Sequence, residues 1–224
     1  MRVCGRYARF TPAEIYARLF DAEAEVALLA PRYNIAPSQP VLAARNGPGG
    51  TREMVALQWG LIPFWAKDPK TGYSTINARA ETVASKPAFR QPFRKRRCLI
   101  AADGFYEWQR TNHRKQPYYI RLRAGEPFAF AGLWEHWERD GEVIESCTII
   151  VTQANSLVAA IHDRMPVILP QTDYDTWLNP QLQDPGTLNP LLRPYPADGM
   201  IASPVGLAVN NPRNDSPELL AAPA

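Results

Sequence analysis

The chain has 224 residues, 46% hydrophobic and 21% charged, which is the make-up of an ordinary globular protein long enough to bury a sizeable core. A net charge of +3 permits a local nucleic-acid-binding patch without arguing for one. No apolar run reaches 18 residues, so no membrane span is expected, and three scattered cysteines do not make a disulfide framework. Three histidines without a CxxC pair leave no metal site and no cofactor to expect, and the cysteine usage suits a reducing cytoplasm.

The chain begins "MRVCGRYARF", placing Cys4 where a terminus is ordinarily frayed. "FTPAEIYARLF" follows as a predicted helix, with Thr11 as N-cap, Pro12 at the first helical position and Glu14 three residues on. Phe10 and Ile15 are spaced for a hydrophobic staple, so this helix is expected to anchor the cysteine stretch. Short β-rich runs come next, bounded by turn residues: "PVLAAR", "EMVALQW", "RRCLIAAD", "QPYYIRLR", "PFAFAGLW", "VIESCTIIVT", "MPVIL" and "GMIASPV". Helical patches "QANSLVAAIHD" and "TDYDTWLNP" interrupt them. Strands that do not alternate regularly with helices predict an α+β fold: one compact domain over 1–224, with a mixed or antiparallel, barrel-like β core and a few peripheral helices. The Pro- and Asn-rich end, from about 205 to 224, is expected to pack as an irregular tail.

Four polar stretches stand out against this apolar background, and each is expected in a loop beside a strand end, where functional side chains concentrate. "RYNIAPSQP" carries Asn34 and Ser38, "STINARAET" carries Asn77 and Arg79, "ADGFYEWQR" carries Glu107 and Trp108, and "AIHDRMPVIL" carries His162 and Arg164. Taken singly, each has an ordinary structural use: an Asx turn for Asn77, an arginine partner for Glu107, a core position for His162. The basic run Arg94 to Arg97 reads as a solvated face able to extend a groove, and Cys98 and Cys147 as buried, inert thiols. Trp59, Trp134, Trp137 and Trp177 are left to core or surface.

Taken together, "CGRYA", "RYNIAPSQ", "WGLIPFWAKD", "INARAET", "RRCLIAADGFYEW", "FAFAGLWE", "CTIIVTQAN", "IHDRMPVIL" and "VNNPRND", in that order, closely resemble the SOS-response-associated peptidase family of abasic-site processing proteins. The resemblance implies a catalytic set of Cys4, Asn77, Glu107 and His162. It implies a protein, acting as a monomer, that senses abasic sites in single-stranded DNA and shields them as a thiazolidine cross-link on its N-terminal cysteine, with peptidase and lyase activities attached. Arg6, Arg79 and Arg164 are the expected phosphate contacts, with Asn34 and Ser38 beside them, and Trp65 and Trp108 the expected surfaces for unstacked bases. In the family the cysteine directly follows the initiator methionine, whereas here Arg2 and Val3 intervene. The expectation is that translation starts at Val3, or that Met1–Val3 are removed, and that Cys4 then has a free α-amine. A Cys–His cysteine peptidase using Cys4 and His162, and a non-covalent single-strand-binding module, remain as alternatives.

Overall fold

Continuous apolar runs such as "RCLIAA" and "CTIIVT" suit strands buried on both faces, and that is how they are used. The computed structural model describes residues 4–23, 30–47, 49–110 and 115–223; Met1–Val3, on which the expectation about the start falls, lie outside them. The described residues form thirteen strands: β1 Tyr7–Arg9, β2 Arg32–Ile35, β3 Pro40–Asn46, β4 Arg52–Trp59, β5 Asn77–Arg79, β6 Arg97–Ala102, β7 Gly104–Arg110, β8 Lys115–Leu122, β9 Phe128–Arg139, β10 Glu142–Gln153, β11 Arg164–Pro166, β12 Ile168–Leu169 and β13 Met200–Pro204. Five helices accompany them: α1 Ala13–Phe20, α2 Arg90–Lys95, α3 Ser156–Ala159, α4 Tyr174–Leu178 and α5 Pro185–Leu188. One sheet runs β13-β8-β7-β1-β2; the other has eight strands in the order β11-β10-β4-β3-β6-β9-β12, with β5 also pairing β10. Pairing is mixed, since β4 and β5 run parallel to β10 and the other strand pairs are antiparallel. This is the α+β, barrel-like architecture that the sequence predicts.

The two-residue side-chain period sorts each run into two cores. Leu42, Ala44, Leu99, Ala101, Ala129 and Ala131 face one cluster, which α1, α2 and α4 cover with Tyr16, Phe20, Phe93 and Trp177. Val41, Ala43, Cys98, Ile100, Phe128 and Phe130 face the other, closed by Tyr7, Ile35, Phe105 and Ile120 of the five-stranded sheet. Cys4 belongs to this second cluster. Cys98 and Cys147 are fully buried, and burial pushes both thiols up. No helix among the described residues is long and apolar enough to cross a membrane.

Three local expectations are corrected. Thr11 does not cap α1: Pro12 occupies that position without a side-chain bond, and the Thr11 hydroxyl donates instead to Asp103 Oδ1 at 2.5 Å. Asp103 also accepts from the Phe10 and Thr11 amides, so a carboxylate from a distant strand end does the work of the capping box. Phe10 stacks on Tyr33, with ring centroids 5.2 Å apart, and this contact takes the part expected of the staple. The patch "QANSLVAAIHD" shortens to α3, with Asn155 as N-cap accepting from the Val158 amide at 2.9 Å.

The largest correction concerns the polar stretches. Asn34 lies in β2, Asn77 and Arg79 in β5, Glu107 and Trp108 in β7, and Arg164 opens β11; only Ser38 and His162 are outside strands. The irregular tail is tied down by its side chains. Val205, Val209 and Leu219 pack against Tyr106 and Tyr119, and Asp215 accepts from the Tyr33 and Asn34 amides and from the Arg32 guanidinium.

Candidate active site around Cys4

Strand register brings the first two site residues together. In the antiparallel β1–β7 pair, Tyr7 sits opposite Phe105 and Ala8 opposite Gly104, so the chain before Tyr7 runs alongside Glu107. Cys4, at φ 40°, turns its backbone N–H onto Glu107 Oε1 at 2.6 Å. Both residues are buried: Cys4 is 0% exposed and Glu107 3%. Burial raises the Glu107 carboxyl to about 7, against the pull of the Cys4 and Trp108 amides that hydrogen-bond its charged form; nearby Asp163 raises it further. The Cys4 thiol is pushed well above its ordinary value, by burial first and by Glu107 second.

His162 reaches the same region from the other side of the core. Its amide donates to Val158 O at 2.9 Å, and Val158 packs in the cluster that holds Cys4. Gln109 on β7 donates to Ala160 O at 2.9 Å, fastening the histidine segment to the strand that bears Glu107. The His162 ring is 7% exposed by residue. Its Nδ1 accepts from the Arg164 amide at 3.1 Å and lies 2.9 Å from Asp163 Oδ1, while its buried Nε2 has no hydrogen-bond partner among the described residues. Asn77 sits opposite Ile149 in the parallel β5–β10 pair, so the two share a face of the sheet, and Ile149 belongs to the Cys4 cluster.

The expected DNA contacts separate into exposed and supporting groups. Arg79 is exposed at the end of β5, and Trp65 is 53% exposed beside an equally open Phe64. Ser38 is exposed, with φ at 70°. Arg164 is half-buried and paired with Glu81 at 2.5 Å. Trp108 is half-buried, donates to Asn210 Oδ1 at 2.7 Å and has the Arg6 guanidinium 6.0 Å from its ring. Arg6 in turn donates to Asn34 Oδ1 at 2.8 Å and Val209 O at 2.9 Å. Asn34, expected at the DNA surface, is 0% exposed and uses its amide on the carbonyls of Val209, Asn211 and Asn214. It supports Arg6 from behind and does not face solvent. Of the expected core or surface tryptophans, Trp59, Trp137 and Trp177 are buried, while Trp134 is partly exposed under Arg45. Among the described residues no group of His, Cys, Asp or Glu is arranged to hold a metal ion.

The SOS response associated peptidase (SRAP) profile matches residues 3–212, nearly the whole chain. The chain belongs to the SRAP family. This SRAP chain is 46% identical over 222 residues to the abasic site processing protein YoqW of Bacillus subtilis, covering 97% of the chain and 99% of the relative. It is 35% identical over 223 residues to the abasic site processing protein HMCES of Xenopus tropicalis, with 86% of the chain and 66% of the relative covered. Among solved structures, a protein from Bacteroides thetaiotaomicron superposes with a TM-score of 0.87 at 28% identity, covering 99% of the SRAP chain and 100% of that one.

Asp163, Gln109, Asn210 and Asp215 are the SRAP-site residues that reading the sequence left without a role. Asp163 carried one signal, its place between His162 and Arg164. The other three lie inside the stretches "ADGFYEWQR" and "VNNPRND", but they act through contacts 51 to 183 residues distant in sequence, which no local pattern reveals.

Proposed function

We propose that this SRAP chain processes abasic sites in single-stranded DNA by forming a covalent thiazolidine on Cys4. The observation that carries the proposal is the Glu107 carboxylate held 2.6 Å from the Cys4 nitrogen, both buried. In a chain beginning at Cys4 that nitrogen is the α-amine. The names of the relatives, abasic site processing proteins, supply the substrate class.

An opened abasic sugar presents an aldehyde. The amine, ordinarily titrating at about 7.7–8.0, attacks the aldehyde carbon, and the carbinolamine loses its hydroxyl as water to give an imine. Glu107, titrating near 7, takes a proton from the amine and returns one to the departing hydroxyl. The thiol then adds to the imine carbon while its proton passes to the nitrogen, so ring closure loses nothing further. Nucleophile and imine belong to one residue, and the intramolecular step gains an effective molarity of up to ~10⁵ M or more. Asn77 orients the amine or a sugar hydroxyl without adding charge, and the unpartnered Nε2 of His162 moves the proton that opens the sugar ring. The elevated thiol favours this amine-first order over a Cys–His peptidase, which needs its thiol depressed to a thiolate.

The test compares chains beginning at Met1 and at Cys4 on an abasic oligonucleotide, read by denaturing gel and intact mass. The Cys4 form should give a heat-stable adduct at the summed mass less one water. Cys4→Ala in that form should give only a borohydride-trappable imine. A heat-stable adduct of undiminished yield from Cys4→Ala would refute the reading.

A further inference from the structure

Charge along this chain is uneven. Between Glu81 and Asp103 no carboxylate occurs, yet the stretch holds Lys86, Arg90, Arg94, Lys95, Arg96 and Arg97, so the rest of a chain of net charge +3 is net negative by three. Two of the six are used internally. Arg97 is buried and donates only to carbonyls, those of Phe93, Arg94, Trp177, Asn179 and Leu182, which completes the ends of α2 and α4. Arg96 pairs with buried Glu135 at 2.7 Å.

The other four are exposed, and none has an ion pair or side-chain hydrogen bond in the described structure. Three of them share one line. Arg90 N donates to Lys86 O at 2.9 Å, closing a turn that leads into α2, and Lys86, Arg90 and Arg94 follow at four-residue spacing. Within α2 a rise of about 1.5 Å per residue sets Arg90 and Arg94 about 6 Å apart along one face, a step suited to successive phosphates of an extended strand, and Lys86 precedes them in the turn. Helix electrostatics accounts for Arg94 and Lys95 in the last turn of α2 but gives no reason for Lys86 and Arg90. Among the described residues no carboxylate pairs with either of them. The row also begins seven residues after exposed Arg79, on the same connection that leaves β5.

We infer that Lys86, Arg90 and Arg94 form a second binding surface for single-stranded DNA, which carries the phosphate backbone of the strand flanking the lesion away from Arg79. The inference takes its polyanion from the proposed function, and its own evidence is the unopposed cation row. The acidic face of another protein would be the other polyanion; the short chain distance from exposed Arg79 favours DNA.

The experiment measures binding of dT10 and dT30, without any lesion, to the full chain across a salt series, with duplex DNA and poly-glutamate as comparison polyanions, together with cross-linking to a short abasic strand. The variant is Lys86→Ala/Arg90→Ala/Arg94→Ala, three exposed positions whose backbone bonds remain. On dT30 the slope of log affinity against log salt should fall by ~2, at ~0.7 per lost contact, while dT10 binding and cross-linking to the short strand stay as in the parent. An unchanged dT30 slope overturns the inference, and so does a loss that appears only with duplex, or poly-glutamate binding as tightly as dT30. Failure of the parent to cross-link would count against the proposed function and leave the slope comparison standing.

Discussion

At the residue scale, the proposed chemistry rests on a single carboxyl. Glu107 is lifted from its ordinary 4.5 to about 7, so between those values the folded protein holds a proton that the unfolded chain has released. Stability contributed at this position is therefore highest below pH 4.5, falls as pH rises through the window and levels off above 7. Glu107→Gln keeps an oxygen to accept from the Cys4 amide and removes the titration. Unfolding midpoints from pH 4 to 8 should show the parent losing up to ~3 kcal/mol relative to the variant across that window. Parallel pH curves for the two proteins would contradict the burial assigned to Glu107. His162 lends itself to a kinetic test. His162→Ala should slow cross-linking by ~10²-fold, the low end for a general acid–base group, because aldehyde and aminothiol also react unaided. Affinity for the undamaged strand should not move, and a matching loss of affinity would make His162 a structural residue.

At the element scale, two irregular segments hold the site in shape. The tail from Val205 onward is fastened to β2 by Asn34, whose amide reaches three tail carbonyls, and by Asp215. Asn34→Ala removes the hydrogen bond to Asn214 O and takes one bond each from Val209 O, Asn211 O and the Arg6 guanidinium, which keep their other partners, at ~1–3 kcal/mol for a group left unpaired that water does not reach. A loss of about 2–4 kcal/mol is expected. Hydrogen exchange should rise first across residues 205–223; uniform change over the whole chain would show that the tail is not a separate strap. The loop bearing Phe64 and Trp65 is closed by a glycine pair. Gly60, at φ 129°, sits so close to Gly72 that an added Cβ would lie 2.6 Å from Gly72 O. Gly60→Ala combines an unfavourable φ with that clash and should cost more than ~1–3 kcal/mol, measured by denaturant titration. A neutral substitution would mean that the loop adjusts and does not hold Trp65 rigidly.

At the scale of the whole molecule, the eight-stranded sheet separates two jobs. Its helix-covered face supplies the larger apolar core, and its other face meets the five-stranded sheet around Cys4. Under the proposed function, a nucleophile as deep as Cys4, at 0% exposure, takes a sugar drawn out of its stack. Extrusion from duplex costs a few kcal/mol that a single strand does not require. Cross-linking should therefore run at least ~10-fold faster on abasic single strands than on the same lesion in duplex, and equal rates would contradict the buried site.

The continuous apolar runs "RCLIAA" and "CTIIVT" were enough to predict strands of the central sheet, because runs of that length bounded by turn residues leave few other ways to bury themselves. The ordered motifs pointed to Cys4, Asn77, Glu107 and His162 as the candidate set through their resemblance to a family. The short strands that carry Asn34, Asn77 and Glu107 were not legible: they are three to seven residues long, polar in part, and extended because a neighbouring strand pairs with them. Thr11 shows the same limit, since its local pattern fitted a cap and a carboxylate 92 residues away won the hydroxyl. Asn34 shows it at the site, where a polar residue in a polar stretch proved to be a buried brace for Arg6. The sequence by itself determined which apolar segments must be covered and which reactive groups exist. Only the tertiary structure decided that Glu107 meets the Cys4 nitrogen, because that contact follows from the β1–β7 register over 103 residues of separation, and its shifted titration follows from the burial that the packed sheets impose.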